Sequence, residues 1–174
     1  QKGLDLVDCV LSDIMAENLQ MAVLGMGDSR YTNLFSWAET KYRGKLAARF
    51  TMDAALAHRI YAGADFFLMP SLFEPCGLNQ LYSLRYGTLP LVRAVGGLAD
   101  TVVDATPQAL ADGTATGFVF GPPDSGEFMS ALARAIALWR DQASWRRLQA
   151  TAMAQDFSWQ RSAARYLELY DSPR

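Results

Sequence analysis

The chain has 174 residues, of which 51% are hydrophobic and 20% charged, a balance that suits one globular domain with a sizeable core. Its 16 basic and 18 acidic residues leave a net charge of −2, so no broad positive field favours nucleic acid or an anionic membrane as a partner. Two cysteines, Cys9 and Cys76, are too few for a disulfide framework and indicate a reducing, cytoplasmic setting. No apolar run reaches the about 18 residues that a membrane-spanning helix needs.

The first part of the chain alternates predicted helices with short apolar strands. Leu4, Val7, Leu11 and Ile14 recur at helical spacing and mark the first helix. The predicted elements are, in order, a helix over about 3–19, a strand at 21–24, a helix over 31–42, a strand at 46–50, a helix that Asp53 caps through about 61, and a strand at 65–70.

The same alternation continues to the end of the chain. The predicted elements are a helix at 78–86, a strand at 89–92, a loop over 104–116, a strand at 117–120, a turn at 121–124, a long helix around 128–139 and a last helix around 159–170. The apolar middle of 65–70 is typical of a parallel strand that is covered on both faces. Strands that alternate with helices predict an α/β fold with one doubly wound parallel sheet.

Ligands of open α/β sheets bind where strands end at their carboxyl side, and the end of the third strand is the richest in polar groups. Gly77 allows a close approach of backbone to a ligand, and the free amides of Leu78, Asn79 and Gln80 form a helix start suited to an anion. Glu74 precedes them in a loop that ligand hydroxyls can reach. The alternative is that Glu74 only caps the helix.

Two further strand ends carry glycines. Gly96 and Gly97 follow the fourth strand and allow another close backbone approach, with a plain turn as the alternative. The segment 25–30 begins like a dinucleotide fingerprint but lacks its third glycine, and we interpret it as a tight turn. His58, the only histidine, is interpreted as structural, and no cluster of Cys, His, Asp or Glu has metal-ligand spacing.

Several motifs closely resemble those of bacterial glycogen synthases and plant starch synthases. They are QKG at 1–3, FEPCGL at 73–78, RYGTLP at 85–90, GGLADTV at 96–102, GFVF at 117–120 and DFSW at 156–159. The resemblance covers nearly the whole chain. It implies a GT-B glycosyltransferase, which has two Rossmann-like lobes with the active site between them, and this chain resembles the C-terminal lobe alone.

The resemblance implies a division of the chain and a partner for it. Residues 1–155 are expected to form the Rossmann-like lobe that binds a nucleotide sugar, and residues 156–174 a helix that crosses to the N-terminal lobe. That lobe, with its KxGGL acceptor motif, is not in the sequence, so the chain is expected to be inactive alone. Its absence would expose apolar surface on the last helix and favour self-association.

The implied reaction is transfer of glucose from ADP-glucose to the non-reducing end of an α-1,4-glucan with retention of configuration. The enzyme class is a glucan 4-α-glucosyltransferase of the cytoplasm. The implied partners are ADP-glucose or ADP, and the glucan through the N-terminal lobe. The family implies no cofactor and no metal, so cations and helix amides of the protein neutralise the leaving diphosphate.

Site residues follow from the resemblance position by position. Lys2 and Glu74 are the implied catalytic residues, with Lys2 on the donor phosphates and Glu74 on the glucosyl group. Donor contacts are implied for Lys2, Met52, Cys76, Gly77, Leu78, Asn79, Gln80, Tyr82, Gly96 and Gly97. The Cys76 thiol is interpreted as a packing group near the glucose pocket rather than a nucleophile.

Three positions refine or loosen the resemblance. Tyr82 stands where related glucosyltransferases often have a second Glu, which favours the glycogen synthases. Asn79 replaces a common Thr, and Met52 replaces a common Tyr that stacks on adenine, which leaves the donor base open. Two rival functions stay open, a non-catalytic nucleotide- or glucan-binding module and a dinucleotide-dependent oxidoreductase, although the incomplete glycine fingerprint disfavours the latter.

Overall fold

Short apolar runs become parallel strands, each followed by a helix, in the computed structural model, which describes residues 1–171. The strands are β1 Met21–Leu24, β2 Leu46–Arg49, β3 Phe66–Met69, β4 Leu89–Arg93 and β5 Phe118–Phe120. Each lies within one or two residues of its prediction. The predicted α/β class with parallel strands is therefore confirmed.

The helices are α1 Leu4–Ala16, α2 Ser29–Lys41, α3 Ala54–Gly63, α4 Asn79–Tyr86, α5 Gly96–Thr101, α6 Pro107–Ala111, α7 Ser125–Arg140, α8 Gln142–Met153 and α9 Trp159–Asp171. Asp53 accepts a hydrogen bond from the amide of Leu56 and caps α3 as predicted. Asp28, in the predicted tight turn, caps α2 in the same way. None of the helices in residues 1–171 is long and apolar enough to cross a membrane.

Three helices depart from the sequence prediction. The double glycine interpreted as a strand end or turn begins α5, and part of the predicted loop 104–116 is α6. The sequence contains little indication of α5 because glycine has a low helix propensity. The start of α6 could have been predicted from Thr106 as N-cap and Pro107 at the first helical position. We predicted no element where α8 lies, although Trp145 and Leu148 bury at helical spacing.

The strands form two parallel sheets. One sheet pairs β1 with β2, and the other has the order β3-β4-β5. A cavity of about 1540 Å³ lies between them and is lined by both β1 and β3. In residues 1–171, no ladder of hydrogen bonds joins the facing edges of these two sheets.

The core packs helices against the strands of the larger sheet. Trp145 of α8 stacks on Phe118 of β5, with ring centroids 6.2 Å apart, and meets Phe66 of β3 edge-on at 5.0 Å. Aromatic burial of this kind contributes more than area alone. A second, smaller cluster of Met69, Val92, Leu98 and Val102 lies under α5. It fixes the carboxyl ends of β3 and β4, where the candidate site lies.

Candidate functional site

The site is centred on the loop between β3 and α4. Glu74 in this loop is only 8% exposed, yet its carboxylate forms an ion pair with Lys2. Its Oε2 accepts a hydrogen bond from Lys2 Nζ at 2.6 Å and another from Ser71 Oγ at 3.2 Å. The Lys2 side chain remains 59% exposed. The fold therefore brings together the two predicted catalytic residues, which lie far apart in the sequence.

Glu74 does not cap a helix. The N-cap position of α4 is Leu78, and no side chain makes a capping hydrogen bond there. The helix-capping alternative for Glu74 is therefore wrong. The first amides of α4 have no side-chain acceptor, and Leu78 is 56% exposed, so this helix start is open to an anion, with Asn79 beside it.

Arg93 fastens the start of the loop from the end of β4. Its Nε donates to the carbonyl oxygen of Ser71 at 2.7 Å, and its Nη2 donates to that of Leu72 at 2.5 Å. Because Ser71 also donates to Glu74, the guanidinium holds the backbone that orients the carboxylate. Arg93 was not among the predicted site residues, and its only signal in the sequence is a single arginine at the end of an apolar strand.

Gln80 holds the other end of the loop from inside. Its side chain is fully buried, and Nε2 donates to the carbonyl oxygens of Cys76 at 3.1 Å and Gly77 at 3.0 Å, with a third contact to Thr101 Oγ1 at 3.2 Å. Its Oε1 has no partner in residues 1–171. The side chain of Gln80 therefore stabilises the loop, and only its backbone amide could contact the nucleotide sugar.

The double glycine lets α5 touch the loop. A Cβ on Gly97 would lie 1.9 Å from the carbonyl oxygen of Cys76, and Gly96, at φ +46°, would place one 2.2 Å from that of Glu74. The Gly97 amide donates to the Glu74 carbonyl at 3.0 Å. The plain-turn alternative is wrong, and the close approach here is between two protein segments. Gly77, at φ +73°, makes the turn into α4.

Met52 and Cys76 are both exposed. Met52 follows β2 and is 83% exposed, and it lines the same cavity as Lys2 and Asn79. The Cys76 thiol makes only a 3.7 Å contact to the carbonyl oxygen of Gly77. The loop leaves Cys76 exposed, and the interpretation of its thiol as a packing group near the glucose pocket stays a prediction.

Tyr82 belongs to an aromatic cluster between α3 and α4. Its ring lies 6.2 Å from that of His58 and 6.3 Å from that of Tyr61, and the tyrosine remains 45% exposed. His58 Nδ1 and Tyr86 Oη are 3.0 Å apart, which supports a structural role for the histidine. Burial raises the pKa of Tyr61, and the neighbouring Tyr82 phenol adds to the shift.

Metal-ligating groups do not converge in this part of the molecule. Within residues 1–171, no group of three or more His, Cys, Asp or Glu side chains could hold a metal ion. The charged and polar groups at the carboxyl ends of β3 and β4 are instead Lys2, Glu74, Arg93 and the first amides of α4. Such an arrangement can hold an anion next to a carboxylate.

Comparison with known proteins adds independent information. The family profile described as Glycosyl transferases group 1 matches residues 1–150. The chain is 52% identical over 170 residues to glycogen synthase 1 of Methylococcus capsulatus, covering 98% of this chain and 34% of that protein. It is 52% identical over 171 residues to the glycogen synthase of Desulforudis audaxviator, with the same coverage. The chain thus spans about a third of the length of the relatives it matches.

Solved structures agree with these relatives. The catalytic domain of starch synthase IV from Arabidopsis thaliana, solved with ADP and acarbose, superposes with a TM-score of 0.87 at 36% identity, over 98% of this chain and 35% of that one. Sucrose-phosphate synthase from Thermosynechococcus elongatus gives a TM-score of 0.67 at 22% identity over 97% of this chain and 41% of that one, which shows the fold alone.

Proposed function

We propose a function from one premise, which is that this chain belongs to the family of glycosyl transferases group 1. It is the donor-binding lobe of a retaining glucosyltransferase that moves glucose from ADP-glucose to the non-reducing end of an α-1,4-glucan. The observation that carries the proposal is the Lys2–Glu74 pair beside the uncapped start of α4. The glycogen synthase relatives and the ADP-bound starch synthase support this choice of donor and product.

Lys2 and the α4 amides act on the diphosphate. When the bond between the anomeric carbon and the diphosphate breaks, negative charge grows on the leaving group, and an ammonium with oriented amides stabilises it. Lys2 Nζ donates to Glu74 Oε2 at 2.6 Å. An incoming diphosphate competes with the carboxylate for the ammonium, and so couples donor binding to release of Glu74.

Glu74 then acts on the glucosyl unit. Both hydrogen bonds of its carboxylate use Oε2, and Oε1, which has no partner in residues 1–171 and is not sealed in the interior, is left for a sugar hydroxyl. A carboxylate placed there also faces the positive charge that develops on the sugar ring as the bond breaks. Ser71 and Arg93 keep it in that orientation.

The remaining contacts to the nucleotide sugar are with its base and with the surface of the loop. Met52 is exposed at the end of β2, where a flexible thioether covers a purine face with little selectivity. The exposed side chains of Cys76, Asn79 and Tyr82 border the loop, and Gly77 shapes its turn. The glycines at 96 and 97 contribute by letting α5 support the Glu74 backbone. The proposal includes no metal and no cofactor.

The glucan and the other lobe complete the proposal. The glucan binds through an N-terminal lobe, α9 crosses to that lobe, and the reaction takes place in the cytoplasm, which the two free cysteines support. Without that lobe, the exposed apolar face of α9 mediates self-association. Because the chain spans about a third of its relatives, a second candidate is a module that binds nucleotide or glucan without catalysis.

Calorimetric titration of this chain with ADP tests the donor proposal. We expect the chain to bind ADP. Lys2→Ala should weaken this binding about tenfold, since a charge-assisted contact is removed. Glu74→Gln should strengthen it, since the carboxylate that competes with the diphosphate for Lys2 is gone. Lys41→Ala, on an exposed helix face, is the matched control. Equal ADP affinity in all four proteins, or tighter binding of NAD than of ADP, contradicts the proposal. Transfer activity of a chimera with a relative's N-terminal part separates the enzyme from the binding module.

A further inference from the structure

The loop between β3 and α4 has two successive peptide groups whose carbonyl oxygens face inward. Gln80 Nε2 donates to the carbonyl oxygen of Cys76 at 3.1 Å and to that of Gly77 at 3.0 Å. The Gln80 side chain is fully buried, so both carbonyl oxygens point from the loop toward the interior. One carboxamide nitrogen therefore fixes the direction of two peptide groups.

The direction of each carbonyl oxygen also fixes the direction of an amide. In a planar trans peptide group, the C=O and the N–H point to opposite sides. The Cys76 carbonyl shares its peptide group with the Gly77 amide, and the Gly77 carbonyl shares its own with the Leu78 amide. Both amides therefore point away from Gln80. In residues 1–171, no protein acceptor binds these two amides or the next one, that of Asn79.

The backbone conformation of the loop agrees with this arrangement. Gly77 has φ +73°, in the left-handed region, and Leu78 follows with φ −114° and ψ −27°, in the right-handed region. A change of hand between neighbouring residues turns successive N–H groups toward one side, as in the backbone concavities that bind anions. The free amides therefore face the side of the loop that is opposite to the Gln80 side chain.

Thr101 of α5 holds the Gln80 side chain in this position. Its Oγ1 accepts a hydrogen bond from Gln80 Nε2 at 3.2 Å and donates one to the carbonyl oxygen of Gly97 at 2.5 Å. The carbonyl oxygens of the loop can only accept hydrogen bonds, so the nitrogen of the carboxamide must face them rather than its oxygen. The loop, α4 and α5 thus meet at one oriented carboxamide.

We infer that Gln80, held by Thr101, is a positioning residue for the diphosphate of the nucleotide sugar. Its side chain does not contact the ligand, and instead turns the amides of Gly77 and Leu78 toward the place where the diphosphate lies beside Lys2. The inference rests on the proposed function, which puts the diphosphate at the start of α4. Amides that are already oriented stabilise an anion without having to turn when it binds, and this is what the Gln80 carboxamide contributes.

The test compares two Gln→Met substitutions in the whole chain. Gln80→Met keeps the length of the side chain but removes the nitrogen that donates to the loop. Gln149→Met is the matched control, because Gln149 Nε2 donates at 2.8 Å to the carbonyl oxygen of Gly87, at the opposite end of α4. Calorimetry measures the affinity of each protein for ADP and for inorganic diphosphate, and urea unfolding measures its stability.

The two variants should differ in affinity. We expect Gln80→Met to weaken the binding of ADP and of diphosphate about tenfold, because two amides lose their fixed direction. Gln149→Met should lower stability but leave both affinities unchanged, since it releases the other end of the helix. A purely structural role of Gln80 would lower stability without separating the affinities of the two variants. Unchanged affinity of Gln80→Met, or an equal loss in both variants, overturns the inference.

NMR separates a failure of the inference from a failure of the proposed function. In the unaltered chain, added diphosphate should shift the amide proton signals of Gly77 and Leu78, and in Gln80→Met these shifts should become smaller. If the unaltered chain binds ADP but these two signals do not move with diphosphate, only the inference is overturned. If it binds neither ligand, the proposed function is contradicted and the inference falls with it.

Thr101 gives a second route if Gln80→Met does not fold. Thr101→Val keeps the shape of the side chain but removes the hydroxyl that holds Gln80, and we expect it to weaken the binding of diphosphate about threefold. Thr101→Ser keeps the hydroxyl and should retain the original affinity. Equal affinity of the two Thr101 variants for diphosphate overturns the inference.

Discussion

At the scale of single residues, Glu74 is distinguished by where its charge is held. The carboxylate is 8% exposed and has two donors, Lys2 Nζ and Ser71 Oγ, on one oxygen. Removing one partner of a buried ion pair leaves an uncompensated charge and is strongly destabilising. Lys2 therefore compensates for the burial of the Glu74 carboxylate.

Substitutions at Glu74 test that assignment in a chimera that joins this chain to the N-terminal part of a relative. Glu74→Ala is expected to lower kcat by about a hundredfold or more, because a charge-assisted contact of the transition state is lost. Glu74→Gln should recover only part of the loss, and Cys76→Ser, at an exposed thiol, should have little effect. Steady-state kinetics with ADP-glucose and glycogen measures all three. If the Glu74→Ala enzyme keeps more than about a third of the original kcat, Glu74 only shapes the loop and the site assignment is wrong.

Tyr61 makes the stability of the chain sensitive to alkaline pH. Burial, and secondarily Tyr82, raises its pKa above the ordinary value of 10.0. A raised folded-state pKa means that the stabilisation is complete below about pH 10 and is lost as pH rises through the folded-state pKa. Urea unfolding from pH 8 upward should show a falling free energy of unfolding above about pH 10, and Tyr61→Phe should lessen the fall. Tyr170→Phe, at a residue 80% exposed, should leave the fall unchanged.

At the scale of elements, α5 supports the loop that carries Glu74, and it can do so only because its first two residues are glycines without a Cβ. Its first residues contact the carbonyl oxygens of Glu74 and Cys76, and the small cluster around Leu98 anchors its other side. The loop that carries Glu74 is thus held from β4 by Arg93 and from α5 by the Gly97 amide. The position of the carboxylate depends on both supports.

Adding one methyl group to α5 measures that dependence. Gly97→Ala places a Cβ 1.9 Å from the Cys76 carbonyl oxygen, so backbone must move, and we expect a loss of about 2 kcal/mol or more in the free energy of unfolding. Gly63→Ala, on α3 with nothing within 4 Å, should be neutral or slightly stabilising. Denaturant unfolding compares the two. Equal stability of both variants would mean that α5 does not press on the loop.

At the scale of the whole molecule, α9 is an amphipathic helix whose apolar side is open. None of the described residues of α9 is buried, and its large exposed side chains are Trp159, Tyr166, Leu167, Leu169 and Tyr170. Exposed apolar surface of this kind marks a contact site. The predicted crossing of this helix to an N-terminal lobe stays a prediction.

The open face of α9 should produce concentration-dependent self-association of the chain. Leu167→Lys is expected to weaken it about tenfold or more, because a charge replaces an apolar contact. Met26→Lys, at a residue 68% exposed on the turn before α2, is the control. Sedimentation velocity over a range of concentrations measures both. A chain that stays monomeric at high concentration contradicts the prediction.

Local pattern was enough to predict most elements, and the family resemblance pointed to Lys2 and Glu74. Apolar runs bounded by glycine and proline predicted the strands, and Asp53 predicted the start of α3, because both signals act through neighbours in sequence. The motif around Glu74 and the segment at Lys2 indicated a glycosyltransferase. The family match confirms that class, whereas the roles of individual residues stay predictions.

Tertiary structure decided what depends on contacts between distant segments. It placed Lys2 on Glu74, turned Gln80 inward, left Cys76 in solvent and used the double glycine to fit α5 against the loop. It also divided the strands between two sheets. Sequence periodicity says which residues become strands, but strand order and side-chain direction depend on which backbone edges and carbonyl groups meet in space, and only the packed chain determines that.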